Sequence, residues 1–265
     1  MFAKLFGKKG APDEAPAPAC GAPGKRLYAI GDVHGRLDLL DDLLGQIDAH
    51  SRDIAPENRF VVLLGDLIDR GPESRGVIER LRGKAPIDAR FVFVKGNHED
   101  LLVEAMRGNP SRLPEWMSYG GLQCAQSYGV EVGGLIAAPP DMIAHALELK
   151  IPSSHLIFLD GFIDSVRFGD YLLVHAGVRP GVPLDAQDPA DLRWIRKEFL
   201  ASPAYHGAMI VHGHSISDEV EARSNRIGID TGAYRSGRLT AMWIDGPDRG
   251  FLTSTGPAAV WPPEA

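Results

Sequence analysis

Two acidic residues and an arginine stand close together in the segment Gly65–Gly71. The apolar run Phe60–Leu64 directly precedes this segment and predicts a buried strand. Open α/β sheets place their ligand sites beyond the carboxyl ends of their strands, so this strand would deliver Asp66, Asp69 and Arg70 to such an edge. The charged strand end is therefore the first candidate for chemistry in the chain.

Another predicted strand, Leu27–Ile30, is followed by Asp32 and His34. Residues two apart at a strand end can face the same side, so one carboxylate oxygen and one imidazole nitrogen could bind a single cation there. Asp66 follows Asp32 by 34 residues, a spacing typical of one strand–loop–helix unit, and two carboxylates that close would repel each other unless a cation neutralised them. The alternative, that Asp66 only caps a helix beginning near Pro72, leaves the neighbouring acid and arginine unexplained.

A third apolar run, Phe91–Val94, is followed by Asn97 and His98. Asparagine supplies a neutral oxygen ligand, and the adjacent histidine must point elsewhere, so the pair suggests one metal ligand and one proton donor. His175 and His214 offer imidazoles at two later predicted strand ends. Four other histidines lack this setting and are interpreted as ordinary surface or packing residues: His50, His145, His155 and His206.

The spacing of apolar residues predicts the elements that position these groups. Helical periodicity over Leu37–Ile47 and over Glu73–Leu81 follows the first two strands, so an α/β arrangement of three strand–loop–helix units is expected. Between Asn109 and about Asp160, prolines interrupt short helical pieces, which predicts a cap or insertion over the site.

The second half of the chain predicts another sheet. Ile163–Phe168 and Tyr171–Val174 form a predicted hairpin with its turn at Gly169-Asp170, and Asp191–Leu200 is a predicted helix. Three more predicted strands complete this second sheet: Ala208–Val211, Arg226–Ile229 and Leu239–Ile244.

One folded domain is expected over residues 25–250, with the cap at about 110–160. Residues 10–24 consist almost wholly of Ala, Pro, Gly and acidic residues, which cannot build a core, so residues 1–24 are predicted to be a disordered tail. Residues 251–265 are predicted to be a C-terminal tail.

Charge and composition exclude several classes of function. A net charge of -7 and a pI near 5.7 argue against a nucleic-acid-binding surface, which needs clustered Lys and Arg. The two cysteines, Cys20 and Cys124, form no CxxC pair and favour a reducing compartment. The first residues lack the apolar core of a secretory signal, and no run approaches the length of a membrane span. A cytoplasmic protein without stable membrane insertion is therefore expected, and its oligomeric state is left open.

Five short motifs occur in a fixed order along the chain: GDVHG at 31–35, GDLIDRG at 65–71, GNHE at 96–99, VHAG at 174–177 and GHS at 213–215. Together they resemble the signature of the phosphoprotein phosphatase branch of the metallophosphoesterases, and in particular bacterial and phage Ser/Thr protein phosphatases. Bacterial symmetrical diadenosine tetraphosphatases are near relatives. The resemblance implies a calcineurin-like four-layer α/β/β/α sandwich with a small helical cap insertion.

The resemblance also implies a dinuclear metal centre in which one aspartate bridges two ions. The first ion would be held by Asp32, His34 and Asp66. The second would be held by Asp66, Asn97, His175 and His214. Other metallophosphoesterases carry a GHxH pattern, but Ile216 stands at its last position here, and His212 is interpreted as a supporting or packing residue.

The same resemblance implies catalytic roles outside the ligand set. His98 would give a proton to the leaving group, and Asp69 would hydrogen-bond to its ring, fix it and favour the imidazolium. Arg70 would bind phosphate oxygens in a fork. Arg196 matches the second phosphate-binding arginine of the family less securely, and Arg193 competes for that role.

These residues predict a Ser/Thr protein phosphatase-like phosphomonoesterase that attacks through a metal-bridging hydroxide, without a phosphoenzyme. The mixed oxygen and nitrogen ligands favour two divalent or trivalent ions, with Mn²⁺ first and Fe or Zn²⁺ as alternatives. The substrate would be a phosphorylated protein or a small phosphoester or nucleotide. The enzymatic alternative is a symmetrical dinucleoside polyphosphate hydrolase, and an inactive binding module is disfavoured because every predicted ligand is present.

Overall fold

Two five-stranded sheets form the centre of the computed structural model, which describes residues 18–258. The first sheet has the order β10-β9-β1-β2-β3, in which β1, β2 and β3 are parallel. The second has the order β4-β5-β6-β8-β7, in which β5, β6 and β8 are parallel. The strands are β1 Arg26–Ile30, β2 Arg59–Leu63, β3 Arg90–Phe93, β4 Ser165–Phe168, β5 Tyr171–Val174, β6 Met209–His212, β7 Glu221–Ala222, β8 Arg226–Gly228, β9 Arg238–Asp245 and β10 Asp248–Thr255.

Helices cover the outer face of each sheet. The helices are α1 Leu37–His50, α2 Ser74–Arg82, α3 Asn97–Met106, α4 Leu113–Trp116, α5 Leu122–Ser127, α6 Pro140–Glu148, α7 Ser153–Asp160, α8 Pro189–Trp194, α9 Lys197–Leu200 and α10 Ala233–Ser236. Helices α4 to α7 lie between β3 and β4 in the segment predicted to be a cap or insertion, and this segment, residues 110–160, is called the insertion. The helix predicted over Asp191–Leu200 is interrupted, because Ile195 and Arg196 leave helical geometry between α8 and α9.

Alternation along β1 shows how the layers are built. Leu27 and Ala29 face the second sheet, where they pack with residues such as Leu173 and Val211. Tyr28 and Ile30 face the helices, because successive strand residues point to opposite faces. A third cluster, including Phe199, lies between the second sheet and helices α8 and α9. The chain therefore has the four-layer α/β/β/α arrangement of the calcineurin-like fold.

The assignment of Leu239–Ile244 to the second sheet is wrong. Strand β9 pairs antiparallel with β1, placing Ala29 opposite Met242, and therefore belongs to the first sheet. Met242 and Ile244 nevertheless point into the core between the two sheets. A strand on either sheet would contribute residues to that core, so an apolar pattern does not distinguish the two positions.

The domain boundaries differ from the expected ones at both described ends. Residues 251–255 are part of β10 and therefore belong to the folded body, not to the predicted C-terminal tail. At the other end, the backbone N–H of Cys20 donates to the Asp170 carboxylate at 3.0 Å, and the N–H of Gly21 donates to the Gly246 carbonyl at 2.7 Å. Residues 20 and 21 are thus held against two turns of the body. The rest of the two predicted tails, residues 1–17 and 259–265, lies outside the described residues.

Within residues 18–258, no helix combines the length and the apolar character that crossing a bilayer requires.

Candidate active site

The carboxyl ends of strands from both sheets deliver the predicted metal ligands to one edge of the sandwich. The six residues are Asp32, His34, Asp66, Asn97, His175 and His214. None of them exposes more than 5% of its surface. Buried carboxylates at this density require compensating positive charge, so the setting itself favours cations.

Asp66 lies at the centre of the group. Its Oδ2 is 3.4 Å from His175 Nε2, 3.6 Å from His34 Nε2 and 3.8 Å from His98 Nε2. Two sets of ligand atoms, each within 4.8 Å of one another, could hold an ion, and Asp66 belongs to both. One set adds His34 and His98, and the other adds His175 and His214.

Backbone carbonyls orient two of the imidazoles. Nδ1 of His34 donates to the Ile68 carbonyl and Nδ1 of His175 donates to the Leu64 carbonyl, each at 2.8 Å. Nε2 of each ring therefore faces Asp66, which is the usual way in which a protein fixes a metal-binding histidine. Burial, together with the charge of Arg70, holds the pKa of His34 well below its usual range, so the ring is neutral and can offer a lone pair.

Two further aspartates accompany Asp66. The Asp32 carboxylate accepts the backbone N–H of His214 at 3.0 Å, and burial, followed by the charges of Asp230 and Asp66, raises its pKa well above the ordinary value. Burial also raises the pKa of Asp230 to about 6. Burial by itself would raise the pKa of Asp66, but the neighbouring imidazoles of His175 and His98 have the larger combined effect, and the pKa is lowered well below its ordinary value. Three carboxylates thus share one buried pocket with imidazoles.

His214 and Asn97 complete the donor set. Nε2 of His214 is buried without a hydrogen-bond partner, and burial lowers the pKa of this ring to about 2, so the imidazole is neutral and its Nε2 could bind an ion. Asn97 Oδ1 lies 2.9 Å from His175 Nε2. An unpartnered imidazole nitrogen, an amide oxygen and a shared carboxylate fit the coordination of a borderline divalent ion. The residues present therefore fit a dinuclear centre.

His98 and Asp69 form a separate pair beside the ligands. Nδ1 of His98 lies 2.7 Å from Asp69 Oδ2, and both residues are buried. Burial raises the pKa of Asp69, although the bond to His98 acts in the opposite direction. The backbone N–H of His98 also donates to Asp66 Oδ1 at 3.1 Å. The ring is therefore held at Nδ1 by Asp69, and the backbone of His98 is held by Asp66.

Glu99 holds the loop that carries Asp66, a function that was not assigned to it from the sequence. Its buried carboxylate accepts the backbone N–H groups of Asp66 at 2.8 Å, Leu67 at 2.7 Å and Gly96 at 3.0 Å. Burial raises its pKa to about 7, and the charge of Asp66 acts in the same direction. Its position directly after His98 in the GNHE motif was the only available signal.

The site also contains unusual backbone geometry. Five non-glycine residues within 18–258 have positive φ values between 46° and 72°, and all of them carry side chains of this site: His34, Asp66, Asp69, Arg70 and His214. L-residues avoid this left-handed region because the side chain crowds the backbone. Contacts such as those of Glu99 therefore hold these turns in place.

Arg70 reaches the site from the same loop. Its Nη1 lies 3.0 Å from His34 Nε2, and its guanidinium stacks 4.9 Å from the centre of the Tyr234 ring. Its backbone N–H donates to the Gly120 carbonyl at 3.0 Å, which ties the arginine to the insertion.

The two candidates for a second phosphate-binding arginine differ in their partners. Arg193 forms ion pairs with Asp100 at 2.6 Å and Asp164 at 2.5 Å, so its charge is already balanced. Arg196 is exposed and, within the described part of the chain, has no side-chain hydrogen bond or ion pair. Burial is the main cause of the lowered pKa of His214 and the charge of His175 is the next, and the charge of Arg196 lowers this pKa further. Arg196 is therefore the better placed of the two to meet an anion.

A comparison with protein families gives a match over most of the chain. The family model of calcineurin-like phosphoesterases matches residues 25–235. The chain belongs to the calcineurin-like phosphoesterases. This family uses a dinuclear metal centre, and the chain is a hydrolase that acts on phosphoesters.

Several known proteins resemble this phosphoesterase over most of its length. It is 25% identical to serine/threonine-protein phosphatase 2 of Escherichia coli K12 over 225 residues, which cover 82% of the chain and 91% of the relative. It is 26% identical to an asymmetrical bis(5'-nucleosyl)-tetraphosphatase of Bacillus velezensis, over 80% of the chain and 86% of the relative. A crystal structure described as a candidate diadenosine tetraphosphatase shares the fold, with a TM-score of 0.61, 20% identity and coverage of 89% and 98%.

Three aromatic rings surround the metal-binding edge of the phosphoesterase, and their roles were not identified from the sequence. Tyr119 lies 6.2 Å from His98 and 6.2 Å from Trp194, whereas Tyr234 lies 5.3 Å from His34, measured between ring centres. They come from the insertion, from α8 and from α10, so only the fold brings them together. Their ordinary sequence surroundings gave no signal.

A glycine in the insertion of the phosphoesterase sets the position of Arg70. Gly120 has a φ of 105°, and a Cβ there would lie 2.6 Å from Arg70 Cγ and 2.8 Å from Arg70 N. Gly120→Ala is therefore expected to displace Arg70 and to lower kcat/KM for phosphoesters by about 10- to 100-fold, with metal content unchanged. Steady-state kinetics and elemental analysis would measure both quantities.

Gly129→Ala is the matched control. Gly129 has a φ of 79°, but a Cβ there would meet no atom within 4 Å. It carries the same kind of backbone penalty without the contact to Arg70. If both variants lost the same activity, the contact between Gly120 and Arg70 would have no catalytic importance.

Proposed function

We propose that this phosphoesterase is a Ser/Thr protein phosphatase-like phosphomonoesterase with two Mn²⁺ ions, acting in the cytoplasm; Fe and Zn²⁺ are the alternative ions. The observation that carries the proposal is the position of Asp66 in two ligand sets, with the His98–Asp69 pair beside it at 2.7 Å. The E. coli relative named a serine/threonine-protein phosphatase supports the choice of substrate.

The proposed ligands divide between two ions. Asp32, His34 and Asp66 would hold the first ion, and Asp66, Asn97, His175 and His214 would hold the second. Bound ions of this kind supply an activated water and neutralise the charge that develops on the transferring phosphoryl group.

Residues outside the ligand set would complete the reaction. His98 Nδ1–H donates to the carboxylate of Asp69, so Nε2 is the atom that would give a proton to the departing oxygen. Arg70 and Arg196 would bind the phosphoryl oxygens, because guanidinium groups match their geometry. Glu99 and Gly120 would act by holding Asp66 and Arg70 in position.

A second candidate is hydrolysis of dinucleoside tetraphosphates. The aromatic rings of Tyr119 and Trp194 offer stacking surfaces to a base, and the Bacillus velezensis relative carries a tetraphosphatase name. That relative is named as asymmetrical, whereas the sequence resemblance pointed to the symmetrical enzymes.

A substrate panel distinguishes the two candidates. Metal-free protein would be reconstituted separately with Mn²⁺, Zn²⁺ or Fe²⁺ and assayed with phosphothreonine and phosphoserine peptides, p-nitrophenyl phosphate and diadenosine tetraphosphate. We expect the Mn²⁺ form to be the most active and its kcat/KM for the peptides to exceed that for the nucleotide by about tenfold or more. Turnover of the nucleotide alone would refute the protein phosphatase assignment.

A further inference from the structure

A groove on the outer side of the second sheet lies next to the site. It has a volume of about 750 Å³ and runs along α9 to the turn before β8. Its polar lining includes four basic residues and one acidic residue, and these five define the basic groove: Arg196, Lys197, Glu221, Arg223 and Arg226. A concentration of basic residues is unexpected in a chain with a net charge of -7.

The positive charge of the basic groove is only partly balanced. Glu221 pairs with Arg223 at 2.8 Å and with Arg226 at 3.3 Å, so one carboxylate serves two guanidinium groups. Neither Arg196 nor Lys197 has an ion-pair partner among residues 18–258. A surplus of positive charge in a concave surface attracts and holds anions.

Arg226 shows that the floor of the groove is ordered. Only 7% of its surface is exposed, its Nε has no hydrogen-bond partner, and its guanidinium lies 5.9 Å from the Phe199 ring centre. Beside it, the Asn225 side-chain amide donates to the carbonyls of Ser202 and Ala204 at 2.9 Å and 2.8 Å. Glu221 therefore satisfies only part of the hydrogen-bonding capacity of Arg226, because the same carboxylate also pairs with Arg223, and a further anion in the groove would meet a partly balanced cation.

The groove borders the metal-binding edge through Arg196. Arg196 lines the groove and also interacts electrostatically with His214. The ring of Trp194, two residues earlier, is 6.5 Å from the His214 ring. On β8, Arg226 pairs with Ile210 and Gly228 pairs with His212. Arg226 thus lies two strand residues, about 7 Å, further from the metal-binding edge than Gly228. An extended peptide would cover the distance from the edge to Arg226 within about two to four residues.

We propose that the basic groove binds an acidic side chain of an extended phosphopeptide substrate, two to four residues from the phosphorylated residue. This inference rests on the proposed protein phosphatase function and adds to it a preference for acidic sequences. An acidic side chain fits the groove because its carboxylate would meet the positive charges of Lys197, Arg223 and Arg226, which one carboxylate of the chain balances only in part.

The test compares two sets of phosphothreonine peptides. One set has glutamate, and the other alanine, at the second, third and fourth residues on each side of the phosphorylated residue. The full chain with Mn²⁺ is expected to prefer the acidic set by about tenfold in kcat/KM, and the preference should fall as salt rises. Lys197→Glu and Arg223→Glu should each remove most of this preference. Lys197 is exposed and begins α9, where a glutamate also suits the helix terminus.

Lys84→Glu is the matched control, because Lys84 is an exposed lysine in the loop after α2 and does not line the basic groove. It should leave the ratio between acidic and neutral peptides unchanged. Equal turnover of both peptide sets by the unmodified chain would overturn the groove assignment while leaving the phosphatase function intact. Absence of turnover with either set would overturn both. Charge reversal that affected only diadenosine tetraphosphate would reassign the groove to a polyphosphate chain and also overturn the proposal.

Discussion

Asp66→Asn is expected to remove metal from both sites together and to lower phosphoester hydrolysis by about 10³-fold or more. Asp66 belongs to both sets of ligand atoms, and the substitution removes the negative charge that the two sets share. Metal ions contribute several kcal/mol to stabilisation of the transition state, and about 4 kcal/mol corresponds to 10³ in rate. Elemental analysis of the purified variant and its kcat with p-nitrophenyl phosphate would measure the two effects.

The substitution is chosen so that the fold is retained. Asn keeps the shape of Asp66 and a side-chain oxygen that can accept the backbone N–H of His98. Asp248→Asn, at an exposed position at the start of β10, makes the same chemical change away from the site and should have no effect. A variant of Asp66 that kept two tightly bound ions and full activity would rule out the bridging role.

His98→Asn is expected to lower turnover by about 10²- to 10⁴-fold for phosphothreonine peptides while both ions stay bound. This is the usual contribution of a general acid, and it is largest when the leaving group is a poor one. The loss should therefore be at least about tenfold smaller for p-nitrophenyl phosphate, whose leaving group needs little protonation. Parallel kinetics on the two substrates, with metal analysis of the same samples, would separate chemistry from metal binding.

His145→Asn provides the control for this experiment. His145 is exposed on α6, so its replacement should leave both substrates unaffected. An equal loss of turnover for the two substrates in the His98 variant would argue against a proton donor. Loss of metal from that variant would instead indicate that His98 is a ligand, because its Nε2 lies within one of the two ligand sets.

Much of the site could be predicted because its residues follow short apolar runs. The parallel strands β1, β2 and β3 each end in a polar motif, and adjacent parallel strands bring such ends to one edge. The sequence therefore indicated that Asp32, Asp66 and Asn97 meet. The left-handed turns were not visible in it, since aspartate and histidine carry no signal as clear as glycine for a positive φ.

Long-range contacts explain what the sequence could not predict. The place of β9 beside β1 depends on pairing between segments more than 200 residues apart, because Arg26 pairs with Asp245. The choice between Arg193 and Arg196 depends on Asp100 and Asp164, which only the fold brings to Arg193. The aromatic rings around the site and the basic groove likewise combine residues from distant segments.

The left-handed residues at the metal-binding edge have a consequence for protein engineering. Residues in sparsely populated regions cost of order 1–3 kcal/mol each, so the five together could offset on the order of 5 kcal/mol of a total stability of about 5–15 kcal/mol. Glycine at any of these positions would relieve that cost, but it would remove a metal ligand, Asp69 or Arg70. Selection of variants for thermal stability alone would therefore enrich heat-resistant proteins that no longer cleave phosphoesters.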